Sequence, residues 1–159
     1  MPPREAPAST DRPTPKADIE RQTAQVERAR EVIGATDVTV RRRAADALAT
    51  SSELPENARS ALGLALSDPD RWVRESAAKA LREQGARAAD QVPRLIVALK
   101  DDDPYVRWRV AEALGRVGEA AAPAREELKR HAEDPDEVEV VRAASTKALE
   151  RIGGAGAPK

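Results

Sequence analysis

The sequence predicts an all-α fold, a short solenoid of four stacked helix pairs, and three observations carry that expectation. A Val-Arg pair recurs at almost constant spacing, each pair opens the same amphipathic stripe, and the apolar residues are nearly all aliphatic. Among 159 residues there is no Phe, one Tyr and two Trp, although 40% of the chain is hydrophobic. A core of Ala, Leu, Val and Ile suits closely approaching helices, whereas a sandwich would draw on aromatic and β-branched strands.

The repeat is read from its anchors. Val40-Arg41, Val73-Arg74, Val106-Arg107 and Val141-Arg142 follow one another at 33, 33 and 35 residues. Four places beyond each Val stands Ala44, Ala77, Val110 or Ser145, and beyond that an Ala-Leu pair: Ala47-Leu48, Ala80-Leu81, Ala113-Leu114 and Ala148-Leu149. Positions 0, 4, 7 and 8 fall on one side of an α-helix, so each block is the second helix (B) of a pair. Gly85, Gly118 and Gly153 close the last three blocks and are expected in the left-handed conformation past a helix end. The first block lacks that Gly and runs into Thr50-Ser51-Ser52.

Ahead of three blocks lie acidic turns, Asp68-Pro69-Asp70, Asp101-Asp102-Asp103-Pro104 and Asp134-Pro135-Asp136. Asp is a favoured N-cap, and Pro104 suits a first helical turn, where its missing N–H costs nothing. The fourth copy carries two extra residues around Glu137 to Glu139, expected as a longer helix start. Upstream of the turns, Leu62 with Leu66, Leu95 with Leu99 and Leu128 with Ala132 mark the first helices (A), near whose starts stand Pro55, Pro93 and Pro123. Asp18 to Ile33 supplies the remaining A helix, with Ile19, Val26 and Ile33 seven apart. A unit this short cannot bury its own apolar face, so neighbours must stack.

The expected repeats span roughly 17–50, 53–85, 88–118 and 120–153, forming one domain over 17–153. Residues 1–16 hold five of the twelve prolines and are expected to be disordered, as are residues 154–159. The polar start of the first helix and the Ser145, Thr146, Lys147, Glu150 side of the last read as the caps of a complete array.

The segments Asp101 to Gly118 and Asp68 to Gly85 resemble the HEAT-like repeat family, in particular the short variety also found in phycobilisome lyase subunits. Its pattern runs Asp-x-Asp-x-x-Val-Arg-x-x-Ala-Ala-x-Ala-Leu-x-x-x-Gly. Copies one and four match only at their Val-Arg and Ala-Leu cores, and the likeness covers about residues 18 to 153. It implies a right-handed α-solenoid of about eight helices with the B helices on the concave face. It also implies that Arg41, Arg74, Arg107 and Arg142 pair with turn Asp residues of adjoining repeats, as a ladder along the stack. For function it implies binding rather than chemistry.

The residue inventory agrees in leaving catalysis little to work with. There is no Cys, and the one histidine, His131, reads as a solvated residue on a polar helix. Metal sites need several convergent ligands, and the Asp clusters serve as helix caps. The di-iron hydroxylases that share the fold use repeated His-Glu pairs, which this chain lacks. Gly115 and Gly118 belong to a helix end and form no phosphate loop. No catalytic residue, metal or cofactor is therefore expected.

All three aromatics, Trp72, Tyr105 and Trp108, fall at the starts of B helices in copies two and three, at −1, −1 and +2 from Val. Arg71, Glu75, Lys79, Arg109, Glu112 and Arg116 surround them along those helices. Exposed aromatics ringed by Arg have the composition of a binding hot spot. The alternative is that they pack across the groove between repeats. The leading expectation is a non-catalytic scaffold or adaptor binding a protein or peptide on the B-helix face. A nucleic-acid-binding module is one alternative, disfavoured because 27 basic and 28 acidic residues leave a net charge of −1 and the B helices carry a weak field. A regulatory or lyase-like accessory subunit of an enzyme is another. With no signal peptide and no membrane-length apolar run, the expected setting is a cytoplasmic monomer.

Overall fold

The four Val-Arg stripes become the buried sides of α2 (Val38–Ala49), α4 (Arg71–Gln84), α6 (Pro104–Val117) and α8 (Glu139–Gly153). The computed structural model describes residues 15–153, so the expected tails at 1–14 and 154–159 lie outside the described residues. Pro15 and Lys16, placed by the sequence in the N-terminal tail, open α1 (Pro15–Val32). The other A helices are α3 (Glu56–Ala65), α5 (Val92–Ala98) and α7 (Arg125–Glu133), and the described residues contain no strand. The B helices pack side by side in the order α2, α4, α6, α8, with the A elements layered on one side of that row.

Burial follows the stripe. Val73, Ala77, Ala80 and Leu81 of α4 and Val106, Val110, Ala113 and Leu114 of α6 are fully buried, met by Leu62, Leu95, Leu99 and Leu128 from the A layer. Each fully buried aliphatic side chain contributes about 1.5–3 kcal/mol, and small residues at the 4 and 7 places let the helices approach. Val26 and Ala29 of α1 and Ile33 just past its end are buried, whereas Ile19, expected on that stripe, is exposed. At 18 residues, α1 is longer than α2 with 12 and α3 with 10.

The helix ends depart from the expected left-handed cap. Gly85 (φ 54°, ψ −131°) and Gly118 (φ 77°, ψ −141°) do have positive φ, but with ψ far from the αL well. In that region essentially only Gly is unstrained. The chain reverses there into 3₁₀ segments, Gly85–Gln91 and Gly118–Ala124, which lead into α5 and α7. Gly153, the third expected cap, stays within α8 without a positive φ. Where the first copy has no Gly, a side chain does the work: buried Gln84 accepts from Leu54 N–H (2.8 Å) and donates to the Ser51 carbonyl (3.0 Å).

The turns ahead of α2, α4 and α6 are each closed by an arginine that also reaches the next repeat. Arg41 donates from Nε and Nη2 to both Asp68 oxygens (2.7 and 3.1 Å) and from Nη1 to the Ala35 and Thr36 carbonyls. Arg74 treats Asp101 (2.6 and 2.9 Å) and the Asp68 and Pro69 carbonyls the same way. Arg107 pairs with Glu137 (2.9 and 2.6 Å) and the Asp101 and Asp102 carbonyls. The planar guanidinium fork permits this, since two donors match a carboxylate while another remains for the backbone. A second row runs beside it, Arg42 to Asp70 and Arg71 to Asp103.

The fourth copy corrects the expectation twice. Its two extra residues lengthen the turn, not the helix: α8 begins at Glu139, and Glu137, not Asp134, meets Arg107. Asp136 consequently lies three residues ahead of the helix. Arg142 does not cross to another repeat, because no later acidic turn follows it within the described residues. It turns back to Glu139 of its own helix and the Pro135 carbonyl.

Candidate functional site

Trp72 and Tyr105 are the second residues of α4 and α6, held where the helices start. Asp70 Oδ1 accepts the N–H groups of Trp72 and Val73, and Asp103 Oδ1 those of Tyr105 and Val106. Capping pins the helix start, so the rings project from rigid backbone. They remain 47% and 52% exposed. The Arg71 guanidinium lies 4.0 Å from the Trp72 ring centre and 5.8 Å from that of Tyr105, and donates to Asp103 (2.7 Å). Cation–π contact and ion pair together fix that side chain between the two rings.

Burial pushes the Asp103 carboxyl up, but the Arg71 hydrogen bond and the capping N–H groups outweigh it and hold the group below the usual carboxylate range. Asp70 is drawn down to about 2, chiefly by Arg42 against the opposing effect of burial, with the Val73 and Trp72 N–H groups assisting. The caps of the two aromatic helices are thus ionised anchors.

Val140 of α8, 49% exposed, holds the same place before its Val anchor as Trp72 and Tyr105. The sequence reading missed it because it is aliphatic and the two-residue insertion hides its register. Counting back one residue from Val141 was the available signal.

Trp108 departs from expectation. Its +2 place, nearly opposite the core stripe, suggested exposure, yet it is half-buried and packs against the core. A B helix within the row is flanked on both sides as well as covered by the A layer. Arg109 covers the ring at 3.9 Å, donates to Glu112 (3.1 Å) and stands 3.5 Å from Glu75, while Arg82 also donates to Glu112 (3.1 Å). Of the nine residues picked from the sequence, Arg71, Glu75, Arg109 and Glu112 are therefore held in contacts within the protein. Lys79 and Arg116 are exposed with no ion-pair partner among the described residues. The three rings do not share one pocket.

Trp108 instead lines a slot of about 440 Å³ between α6 and α8, together with Gly115, Ala144, Lys147 and Arg151. A Cβ on Gly115 would lie 3.0 Å from the Ala148 Cα, so only glycine allows the helices to come this close at the slot floor. A larger cavity, about 1120 Å³, lies by α1 and α3 and includes Ile33, Pro55 and the exposed Leu64, away from the aromatics.

His131 is not the solvated residue expected. Its side chain is only 15% exposed, and Nδ1 lies 2.8 Å from Glu137 Oε2. The shifted turn brings Glu137 over α7, so one carboxylate serves both Arg107 and His131. Burial pushes Glu137 up, but Arg107, the Val138 N–H and His131 outweigh it and hold the carboxyl at about 2. Nε2 is buried without a hydrogen-bond partner and faces Glu127 at 3.9 Å. Among the described residues no cluster of three or more His, Cys, Asp or Glu side chains is placed to hold a metal ion. No helix there is long and apolar enough to cross a membrane.

The family model of the HEAT repeats matches residues 59–150. No curated protein matches the chain in sequence. Among solved structures, an engineered protein is 26% identical with a TM-score of 0.70, covering 89% of this chain and 66% of its own. The complex of CpcE and CpcF of phycocyanin lyase from Nostoc sp. PCC7120 is 27% identical with a TM-score of 0.65, covering 97% of this chain and 59% of the other. A second engineered protein, at 24% identity and a TM-score of 0.65, shares the fold over 86% of this chain and 39% of its own. The chain spans two thirds or less of the length of each.

Proposed function

The chain belongs to the HEAT repeat family, and from that premise we propose that it is a non-catalytic scaffold or adaptor that binds a protein or peptide partner on its B-helix face. One observation carries the reading: Trp72, Tyr105 and Val140 form a half-exposed apolar row on three adjacent helix starts. Exposed aromatics on pre-ordered backbone lose little entropy on binding, which favours them as anchors. Trp108 joins them from the slot, and Lys79 and Arg116 supply charge at the margin. Replacing Trp72 and Tyr105 together by Ala should reduce capture of the partner from the source lysate at least tenfold while leaving the circular-dichroism melt almost unchanged. Undiminished capture by the folded double variant would refute the assignment.

The likeness to the CpcE–CpcF complex of phycocyanin lyase supports a second reading, a regulatory or lyase-like accessory subunit of an enzyme. Mixing the chain with a free bilin and following visible absorbance tests it. A spectral shift on mixing would favour that role over a general adaptor.

A further inference from the structure

The charges on the B-helix face are unevenly neutralised, and the imbalance is concentrated at the α6–α8 slot. Between α4 and α6, Arg109 is matched by Glu75 and Glu112, and Arg82 by Glu83 and Glu112. Around the slot the cations are Arg82, Arg116, Lys147 and Arg151, and the one carboxylate lining it is Glu112, already shared by Arg82 and Arg109. Arg116, Lys147 and Arg151 are exposed, and none has an ion-pair partner among the described residues. Arg116 and Arg151 stand in the last turns of their helices, where a cation also favours the helix dipole. Lys147, in the middle of α8, has no such role.

Between these charges the floor is apolar and shallow, made by Trp108, Ala111, Gly115 and Ala144. Glu83 acts on Arg116 through space, but neither Arg116 nor Lys147 nor Arg151 is tied into an ion pair among the described residues, and cations so placed around an apolar slot complement a chain that alternates carboxylates with small aliphatic side chains. We infer that the α6–α8 slot is the subsite for an acidic peptide segment of the partner, its Glu or Asp side chains meeting Arg116, Lys147 and Arg151 and a small apolar residue lying on Trp108 and Gly115. This rests on the B-helix face being the binding surface. A nucleic acid fits less well: the α4–α6 groove, where Glu75 and Glu112 neutralise Arg109 and Arg82, offers no path for a phosphate backbone.

The test is fluorescence anisotropy with a labelled peptide of alternating Glu and Ala against the full chain. The same peptide with Gln for Glu, and a single-stranded oligonucleotide, serve as comparisons. The Glu peptide should bind, the Gln peptide at least tenfold more weakly, and the R116E/K147E/R151E variant should lose at least tenfold in affinity with its melt unchanged. R43E, on α2 at the far end of the same face, should bind as the wild type does. Equal binding by the charge-reversed variant, equal loss in R43E, no Glu-peptide binding, or equally sensitive oligonucleotide binding would each overturn the subsite. If partner capture still depends on Trp72 and Tyr105 in that event, the broader reading stands and only the acidic subsite falls. If capture is indifferent to those rings, the broader reading falls.

Discussion

The turn edge of the stack and the α6–α8 slot use the same side chain in opposite ways. Along the edge, Arg41, Arg74 and Arg107 place several donors each on a carboxylate and on the turn carbonyls, with side chains only 12–17% exposed. At the slot, Arg116 and Arg151 are exposed and make no ion pair among the described residues, with Glu83 acting on Arg116 only through space. The difference teaches where charge holds the fold and where it remains for something else. Removing an edge arginine strands a carboxylate in a partly buried place, whereas removing a slot arginine strands nothing.

The largest contrast should come from that pair. Arg74→Ala should cost about 2–3 kcal/mol of unfolding free energy in urea titration, because Asp101 and two carbonyls lose their donor. Arg116→Ala should stay within about 0.5 kcal/mol of wild type. Equal effects would erase the distinction.

Gln84→Leu should follow closely, at about 2–3 kcal/mol, since it leaves the buried Leu54 N–H and the Ser51 carbonyl unpaired. A smaller cost would show that the first copy's loop does not depend on the side chain that replaces its missing glycine.

Glu137 sharpens the comparison through pH. Its carboxyl is drawn down from an ordinary 4.5 to about 2, so its stabilising effect is complete above about pH 4.5 and disappears as pH falls toward 2. A shift of that size corresponds to about 3 to 3.5 kcal/mol. Glu137→Gln should therefore lie below wild type at neutral pH, and the two melts should converge under acid. A gap that persists at pH 2 would place the effect in packing and not in the ion pair.

One substitution should act with the opposite sign. Ser145 fills the place held by Ala44, Ala77 and Val110, and its hydroxyl is buried without a partner. Ser145→Ala should stabilise the fold by about 1 kcal/mol, as read by denaturant titration.

The fold was legible because its signal is repeated: four Val-Arg stripes, three acidic turns and leucines in step between them. The helix ends were less so, since a glycine past a helix marks positive φ but not the ψ that sends the chain into a 3₁₀ segment. Glu137 and His131 were misread for a related reason. A two-residue insertion changes which acid meets Arg107, and spacing alone does not say which way the turn bulges. The aromatics were easy to find and hard to weigh. Whether Trp108 stands free depends on how closely α8 packs, which Gly115 and Ala148 decide. The free cations at the slot could not be told from paired ones, because pairing is a matter of reach across helices.

Amide chemical-shift mapping of the ¹⁵N-labelled chain, titrated with the alternating Glu-Ala peptide, would show whether an acidic segment seats between α6 and α8. Shifts should concentrate at Gly115, Arg116, Ala143, Lys147 and Ala148, with the turns at Asp68 to Asp70 and Asp101 to Asp103 unmoved. Shifts centred on those turns or on the A helices, or none at saturating peptide, would contradict that seating.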